Sequence, residues 1–485
     1  MRESARNHPE KPAVVCGEHI VSYLELNRAT DALAWWLRSQ GLRTSDRVAI
    51  HWANSVETVM LFYACFKAGL IAVPVNNRLK SPEIAYILGH SKARLCFSQP
   101  ELAPLAERVL DECPRLEKLY TELPDLAGLN PGPSLAEVPL QEVAAVLYTS
   151  GTTARPKGVM HTHISLTGST QLMITLGIDE THTVLAVTQM MHIAALGCVV
   201  LPGIACGATV VLMPAFDAGP ALEAIERWKC TYMLTLPAML RFMVEEQGHR
   251  PRDVSSMRLC LAGGDTVPAA LQHAFRARFP IPVREMYGMT ETVPVTANRP
   301  DAPRIGSMGQ ALDLVETRVA NAEGVELGAG ELGELQVSSP ANCIGYWDDF
   351  LATDAAFVDG WLRTGDLTRR DADGYFWFEG RAKQIIVRGG SNISPQEVEE
   401  ALYHHPAVLE TGVIGMPDPV HGEKVVAFVA LREGMSATEP ELRELCRSRI
   451  ADYKVPEHIV FLPALPKGLT GKVQRRELRQ FAPEF

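Results

Sequence analysis

Three consecutive stretches near the N-terminus fix the architecture more tightly than anything else in the chain. "RVAIHW" (47–52) is a short apolar strand, "SVETVMLFYACFKAG" (55–69) has helical spacing with a glycine stop at Gly69, and "LIAVPV" (70–75) is again strand-like. Two strands joined by a helix run parallel, and the helix must cover one face of their sheet. The same rhythm returns in "ATVVLM", the helical "PALEAIERW" and "CTYMLTL". The expected class is therefore α/β, with parallel sheets flanked by helices. At 485 residues the chain exceeds one ordinary core, so at least two domains are expected.

The texture changes near residue 330. "GELQVSS", "DGWLRTGDLTRRDADGYFWFEGR" and "KQIIVRGG" read as short strands with Gly/Asp turns, a β-rich distal part. "SPQEVEEAL" then opens a helix, with Ser394 as cap, Pro395 in the first turn and Glu397 completing a capping box. Two strands ("LETGVIGM", "KVVAFVAL") and a helix ("EPELRELCRSRI") follow. These make a small α+β domain, and the expected division is 1–382 and 383–485, a normal size for the second part.

Composition excludes several classes. A formal charge of −11 argues against a nucleic-acid partner, whose phosphates call for a basic surface. Ten scattered cysteines without a C-x-x-C pair suit a reduced, cytoplasmic protein better than a disulfide framework or a zinc site. No signal-peptide core is expected at the N-terminus. The uncharged run 193–213 has the length of a membrane span, but Pro202-Gly203 and Gly207 divide it, so a buried helix-turn-strand is expected.

The chemistry starts in "AAVLYTSGTTARPKGVMHTH" (144–163), where an apolar strand enters a loop of hydroxyls, glycines and cations. Successive N–H groups in such a turn form an anion-binding nest, hydroxyls add donors, and Lys157 adds a mobile charge. The spacing of Gly151 and Lys157 is not that of the Walker loop. On this loop alone, a surface turn stays open. "YGMTET" (287–292) groups an aromatic face, a glycine, a hydroxyl and a carboxylate, a set able to stack a base, bond a phosphate and hold Mg²⁺. "RTGD" (363–366) offers a carboxylate suited to a ribose diol, although Asp366 taken alone reads better as a turn residue. The "HTH" pair, His161 and His163, lacks a third ligand for a metal.

"LYTSGTTARPKG", "AGGDTVP", "YGMTET", "GWLRTGD", "GRAKQIIVRGGSNISPQEVEE" and "PKGLTGKVQR" occur in the order seen in the acyl-adenylate-forming superfamily, and the chain resembles its acyl-CoA synthetase branch over nearly its whole length. The resemblance implies that a carboxylate attacks the α-phosphate of MgATP to give acyl-AMP and pyrophosphate, and that coenzyme A then displaces AMP. It implies that Thr149, Ser150, Gly151, Thr152, Thr153 and Lys157 hold the β- and γ-phosphates. Gly263, Gly264 and Asp265 would border the adenine, with Tyr287 stacked on it beside Gly288. Thr290 would bond the α-phosphate, Glu291 bind Mg²⁺, Asp366 take the ribose hydroxyls, and Arg381 contact ribose or phosphate. Lys472 would bridge the attacking carboxylate and the α-phosphate. Lys383 would be the hinge about which the small domain rotates, bringing Gly389 and Gly390 to line the pantetheine path.

His192, Ala195, Gly197 and Met286 would line the acyl pocket. Residues 189–197 contain no aspartate for an α-ammonium, and no arginine or lysine is evident for a second carboxylate. A hydrophobic monocarboxylic acid, fatty or aromatic, is therefore expected. Transfer to the phosphopantetheine of an acyl carrier protein is the alternative, and a catalytically impaired nucleotide-binding protein a further one. A luciferase-like oxidation is more remote. A homodimer is left open. Ala154 stands where the family has glycine, which implies a stiffer phosphate clamp, and Gln384 replaces an acidic residue beside the hinge.

Overall fold

The computed structural model describes all residues except 127, 129–131, 133, 134, 136, 150–155, 301, 302, 382, 383, 389, 390, 419, 420, 469, 470 and 483–485, and only the backbone of Asn392. Ser150, Gly151, Thr152, Thr153, Ala154, Lys383, Gly389 and Gly390 thus lie outside the described residues.

The opening βαβ unit forms as its spacing predicts. Arg47–His51 and Ile71–Pro74 pair in parallel, and the helix Val56–Ala68 joins them. Ser55 caps that helix by accepting from the Thr58 N–H, and Gly69 ends it at φ +66°, a conformation that costs glycine little. The pair belongs to a six-stranded sheet ordered Lys118–Tyr120, Leu95–Ser98, Arg47–His51, Ile71–Pro74, Val143–Thr149, Lys157–Thr162. All its pairings are parallel except the last, a hairpin whose connection is the hydroxyl-rich loop. Ile71–Pro74 and Leu95–Ser98 are buried along their whole length, as strands covered on both faces must be.

A second sheet has nine strands. Its parallel centre comprises Val283–Met289, Leu259–Gly263, Tyr232–Thr235, Thr183–Ala186, Thr209–Leu212 and Pro12–Cys16. Antiparallel strands close both ends: His19–Ser22 on one, Thr292–Ala297 and Gln310–Ala311 on the other. The β-rich distal part is an antiparallel five-stranded sheet containing Leu332–Ser338, Trp361–Arg370 and Phe376–Arg381, over a core that includes Leu335, Val337 and Phe376. The C-terminal unit carries a fourth sheet around Val408–Asp418 and Gly422–Leu431, with the helices Pro395–Tyr403 and Glu439–Arg447 closing its core.

Two local expectations are corrected. The run 193–213 is not divided at Pro202-Gly203. Helical structure continues from Ile193–Ala195 through a π-helical turn, Leu196–Val200, into Leu201–Cys206, and stops at Gly207 (φ +84°) before the strand Thr209–Leu212. Pro202 sits in the first turn of its segment, where the shifted register of the π turn absorbs the missing N–H. Among the described residues no helix is long and apolar enough to cross a membrane. The second correction concerns Ser394, which caps its helix through the Glu397 N–H without a capping box. The Glu397 carboxylate instead takes Lys454 Nζ at 2.6 and 2.7 Å, an ion pair stronger than the return bond to the backbone.

Candidate active site

The candidate residues gather where the central strands of the second sheet end, on the side where ligands of open α/β sheets bind. Leu259–Gly263 runs into Gly263-Gly264. A methyl group at Gly263 would stand 2.2 Å from the Met286 carbonyl oxygen, and Gly264 has φ +82°, so both positions require glycine. The neighbouring strand Val283–Met289 carries Met286, Tyr287 and Gly288, then turns through Thr290 and Glu291 into Thr292–Ala297. At Gly288 a methyl group would lie 2.5 Å from Val293 Cγ2, which keeps the hairpin tight.

Tyr287 donates its phenol to Asp366 Oδ2 at 2.6 Å. Asp366 is 3% exposed, and its Oδ1 lies 3.1 Å from Arg381 Nε without hydrogen-bond alignment, which leaves that oxygen an open acceptor. Asp366 and Arg381 sit opposite each other on paired strands. Burial pushes the Asp366 carboxyl up, opposed by Arg381, Tyr287 and the charge of Lys472.

Glu291 is 8% exposed and accepts the Tyr346 phenol on Oε1 at 2.8 Å. Burial raises its carboxyl above the ordinary range. Lys157 opens its strand directly opposite Thr149, and its ammonium stands 4.7 Å from the centre of the Tyr346 ring. Tyr346 therefore ties the lysine expected at the phosphates to the carboxylate expected to hold metal. Among the described residues no three His, Cys, Asp or Glu side chains form a metal cluster. A single buried carboxylate fits Mg²⁺, which takes one or two protein oxygens and completes its shell with phosphate and water.

The two histidines of "HTH" diverge. His161 is fully buried, and its Nε2 must donate to the Thr290 carbonyl at 2.7 Å, since a carbonyl only accepts; Nδ1 then faces Ser165 Oγ at 3.0 Å. Burial holds its pKa down to about 4, so it is neutral. His163 instead packs edge-on against Phe66.

His192 begins the helical run, its N–H donating to the Gln189 carbonyl at 3.0 Å. Burial, then the charges of Lys472 and Arg78, hold its imidazole down to about 4. Ala195 is fully buried, Met286 is buried, and a methyl group at Gly197 would meet Ile193 Cδ1 at 3.3 Å. Arg78, in the connection after Ile71–Pro74, adds a positive charge to the electrostatic surroundings of His192.

Lys472 arrives from the C-terminal unit. It follows Gly471 (φ +80°), its carbonyl accepts the Gly468 N–H at 2.8 Å, and its Cε would stand 3.9 Å from a methyl group at Gly264. Asp265 bonds the Thr266 N–H at 2.9 Å and lies in the cleft between this unit and the rest of the chain, close to the buried Arg475–Glu399 pair. Arg241 donates to the Leu409 carbonyl at 2.7 Å and lies 3.9 Å from Glu410, which also pairs with Lys467 at 2.6 Å. Arg388 is paired with Glu457, and Gln384 bonds the Arg381 carbonyl at 2.7 Å in the turn between the two units. Tyr346 and Arg78 have no counterpart in the sequence reading, where the aromatic and basic residues of "GYW" and "NNRLK" are the available signal, and His161 figures there only as one of the "HTH" pair.

Comparison with known proteins gives the family. Residues 1–347 match the family model of AMP-binding enzymes, and residues 397–472 match that of the AMP-binding enzyme C-terminal domain. A feruloyl-CoA synthase of Amycolatopsis sp is 37% identical over 98% of this chain and 97% of its own. The fatty acid–[acyl-carrier-protein] ligase ScoC of Streptomyces coeruleorubidus is 32% identical over 98% and 94%. The anthranilate CoA ligase AuaEII, solved in complex with anthranoyl-AMP, superposes with a TM-score of 0.94 at 30% identity over 99% and 96%. With both family models matched in order and such relatives aligned end to end, the chain belongs to the AMP-binding enzyme family.

Proposed function

We propose that this protein is an AMP-forming acid–thiol ligase that converts a hydrophobic monocarboxylic acid, fatty or aromatic, to its coenzyme A thioester through an acyl-AMP. The observation that carries this reading is the meeting of Lys472 with the Gly263-Gly264 turn, where its charge reaches both Asp366 and His192. Adenylation brings a carboxylate against a phosphate, so its barrier is largely electrostatic, and one ammonium placed between two anions lowers it. The acid's oxygen bonds to the α-phosphorus as the bond to pyrophosphate breaks. Tyr287 stacks on the base while its phenol orients Asp366, whose open oxygen takes the ribose hydroxyls. Glu291 is the residue that would hold Mg²⁺, which supplies neutralisation of phosphate charge. Lys157 and Thr149 flank the phosphates. His161 fixes the backbone of Thr290 and so the direction of its hydroxyl.

A neutral imidazole at His192 suits an uncharged acyl group, and the likeness to a feruloyl-CoA synthase and an anthranilate CoA ligase supports testing aromatic acids first. Rotation about Lys383 would withdraw Lys472 and bring Gly389 and Gly390 to the thiol's path. The relative ScoC favours, as a second reading, an acyl carrier protein as acceptor. ATP–pyrophosphate exchange over a panel of aromatic and fatty acids tests the function: exchange with at least one acid is expected, and none with any acid would instead indicate a nucleotide-binding protein without catalysis. Turnover of that acid with free coenzyme A against a holo-carrier protein then separates the acceptors.

A further inference from the structure

Between the two large sheets one side chain makes a connection that the chemistry above does not use. Asn54 follows the strand Arg47–His51 of the six-stranded sheet and is 1% exposed. Its Nδ2 donates to the Thr188 carbonyl at 2.8 Å, and its Oδ1 accepts the Met190 N–H at 2.8 Å. Thr188 and Met190 belong to the connection that follows Thr183–Ala186 in the nine-stranded sheet, far along the chain. Both halves of the amide are therefore spent on the backbone of a segment that ends at His192, and the His192 N–H closes the turn on Gln189.

A loop is held by whatever satisfies its backbone, because a buried N–H or C=O left unpaired costs about 1–3 kcal/mol. Here one planar group supplies a donor and an acceptor to the two peptide groups flanking Gln189. An ionised carboxylate has no donor for that pair of bonds, and a hydroxyl offers donor and acceptor from one oxygen rather than from two separate atoms. Ser55, the next residue, caps the helix Val56–Ala68, so the amide stands on a rigid helix start. The turn thus takes its position from the first sheet, while the charge of Lys472, on the C-terminal unit, acts on its imidazole.

We propose that Asn54 is a positioning residue for the acid substrate: by clamping the turn 188–192 it fixes where the His192 imidazole stands relative to Lys472. This inference rests on the reading of His192 as part of the acyl site. Asn54→Ala, Asn54→Asp, His192→Ala and the double variant Asn54→Ala/His192→Ala test it in the full chain, using an acid found active by exchange. Both Asn54 variants are expected to raise KM for the acid about tenfold, with KM and equilibrium Kd for ATP within about twofold of the parent. In the double variant the Asn54 effect is expected to shrink, because its route runs through His192. Equal rises in KM for acid and ATP, or full additivity in the double variant, would overturn the proposal. If His192→Ala raises KM for the acid and Asn54→Asp, folded by thermal melting, does not, the clamp alone is wrong. If His192→Ala leaves that KM unchanged, the acyl reading of His192 falls and the proposal with it.

Discussion

The nucleotide side of the site and the boundary with the C-terminal unit are built from different materials. Around Tyr287, Asp366, Glu291 and Tyr346, two buried carboxylates each accept a tyrosine phenol. At the boundary two ion pairs meet across a cleft: the largely covered Arg241–Glu410 at 3.9 Å and the half-exposed Arg432–Glu245 at 3.8 Å. Buried networks are rigid because each member lost leaves another unsatisfied. Exposed ion pairs are worth about 0–1 kcal/mol each and are screened by salt. The contrast matches the work proposed for each region: one would hold ATP in a single geometry, the other would present Lys472 and then let it go.

The sharpest way to break this contrast is at Asp366. Asp366→Ala should raise KM for ATP about 10- to 100-fold, the loss of hydrogen bonds to a charged acceptor, while the melting temperature falls only modestly, because the Tyr287 phenol loses its acceptor but a desolvated carboxyl is removed. Steady-state kinetics with calorimetry check both halves; a large loss of stability with little change in KM would make Asp366 a structural residue.

A smaller effect is expected at the boundary. Arg241→Ala removes the bond to Leu409 and the approach to Glu410. Adenylation should slow about two- to fivefold, and thioester formation from supplied acyl-AMP should not slow. Equal slowing of both half-reactions would mean the boundary is as rigid as the nucleotide site.

Smallest are the shifts with pH. Burial holds His51, His161 and His192 down to about 4, below the unfolded value of 6.5. The unfolded chain therefore binds more protons between these values, and their contribution to stability is lost as pH falls from 6.5 toward 4. Glu285 is the opposite case. Burial pushes it up to about 7, with Gln272 Nε2 at 2.6 Å and the Gly306 N–H at 3.0 Å favouring the charged form, so its contribution is lost as pH rises from 4.5 through 7. Melting curves from pH 4 to 9 should show both arms, and Glu285→Gln should flatten the upper one by about 2–4 °C or less.

The elements that were legible in the sequence are those whose cause is local. Gly69 ends a helix because of its own backbone, and the alternation of 47–75 reports how side chains distribute around strands and a helix. Tyr287, Thr290 and Glu291 could be grouped because one hairpin carries all three. What stayed hidden depends on partners far along the chain. Glu397 abandons its cap for Lys454, Glu291 finds Tyr346, Thr290 finds His161, and Asn54 finds Thr188 and Met190. No spacing rule encodes such choices, since they are made by the packing of sheets against each other. Pro202 failed as a breaker for a related reason: the π turn before it rearranges the hydrogen bonds that the proline cannot make.

Lys472 joins the two regions, and its substitution is the most direct test. With Lys472→Ala, acid-dependent ATP–pyrophosphate exchange should fall by about 100-fold or more, while conversion of supplied acyl-AMP and coenzyme A to thioester stays within a few-fold of the parent. Exchange at the parent rate, or equal loss of both half-reactions, would contradict the claim that this ammonium is delivered to the reacting anions for adenylation alone.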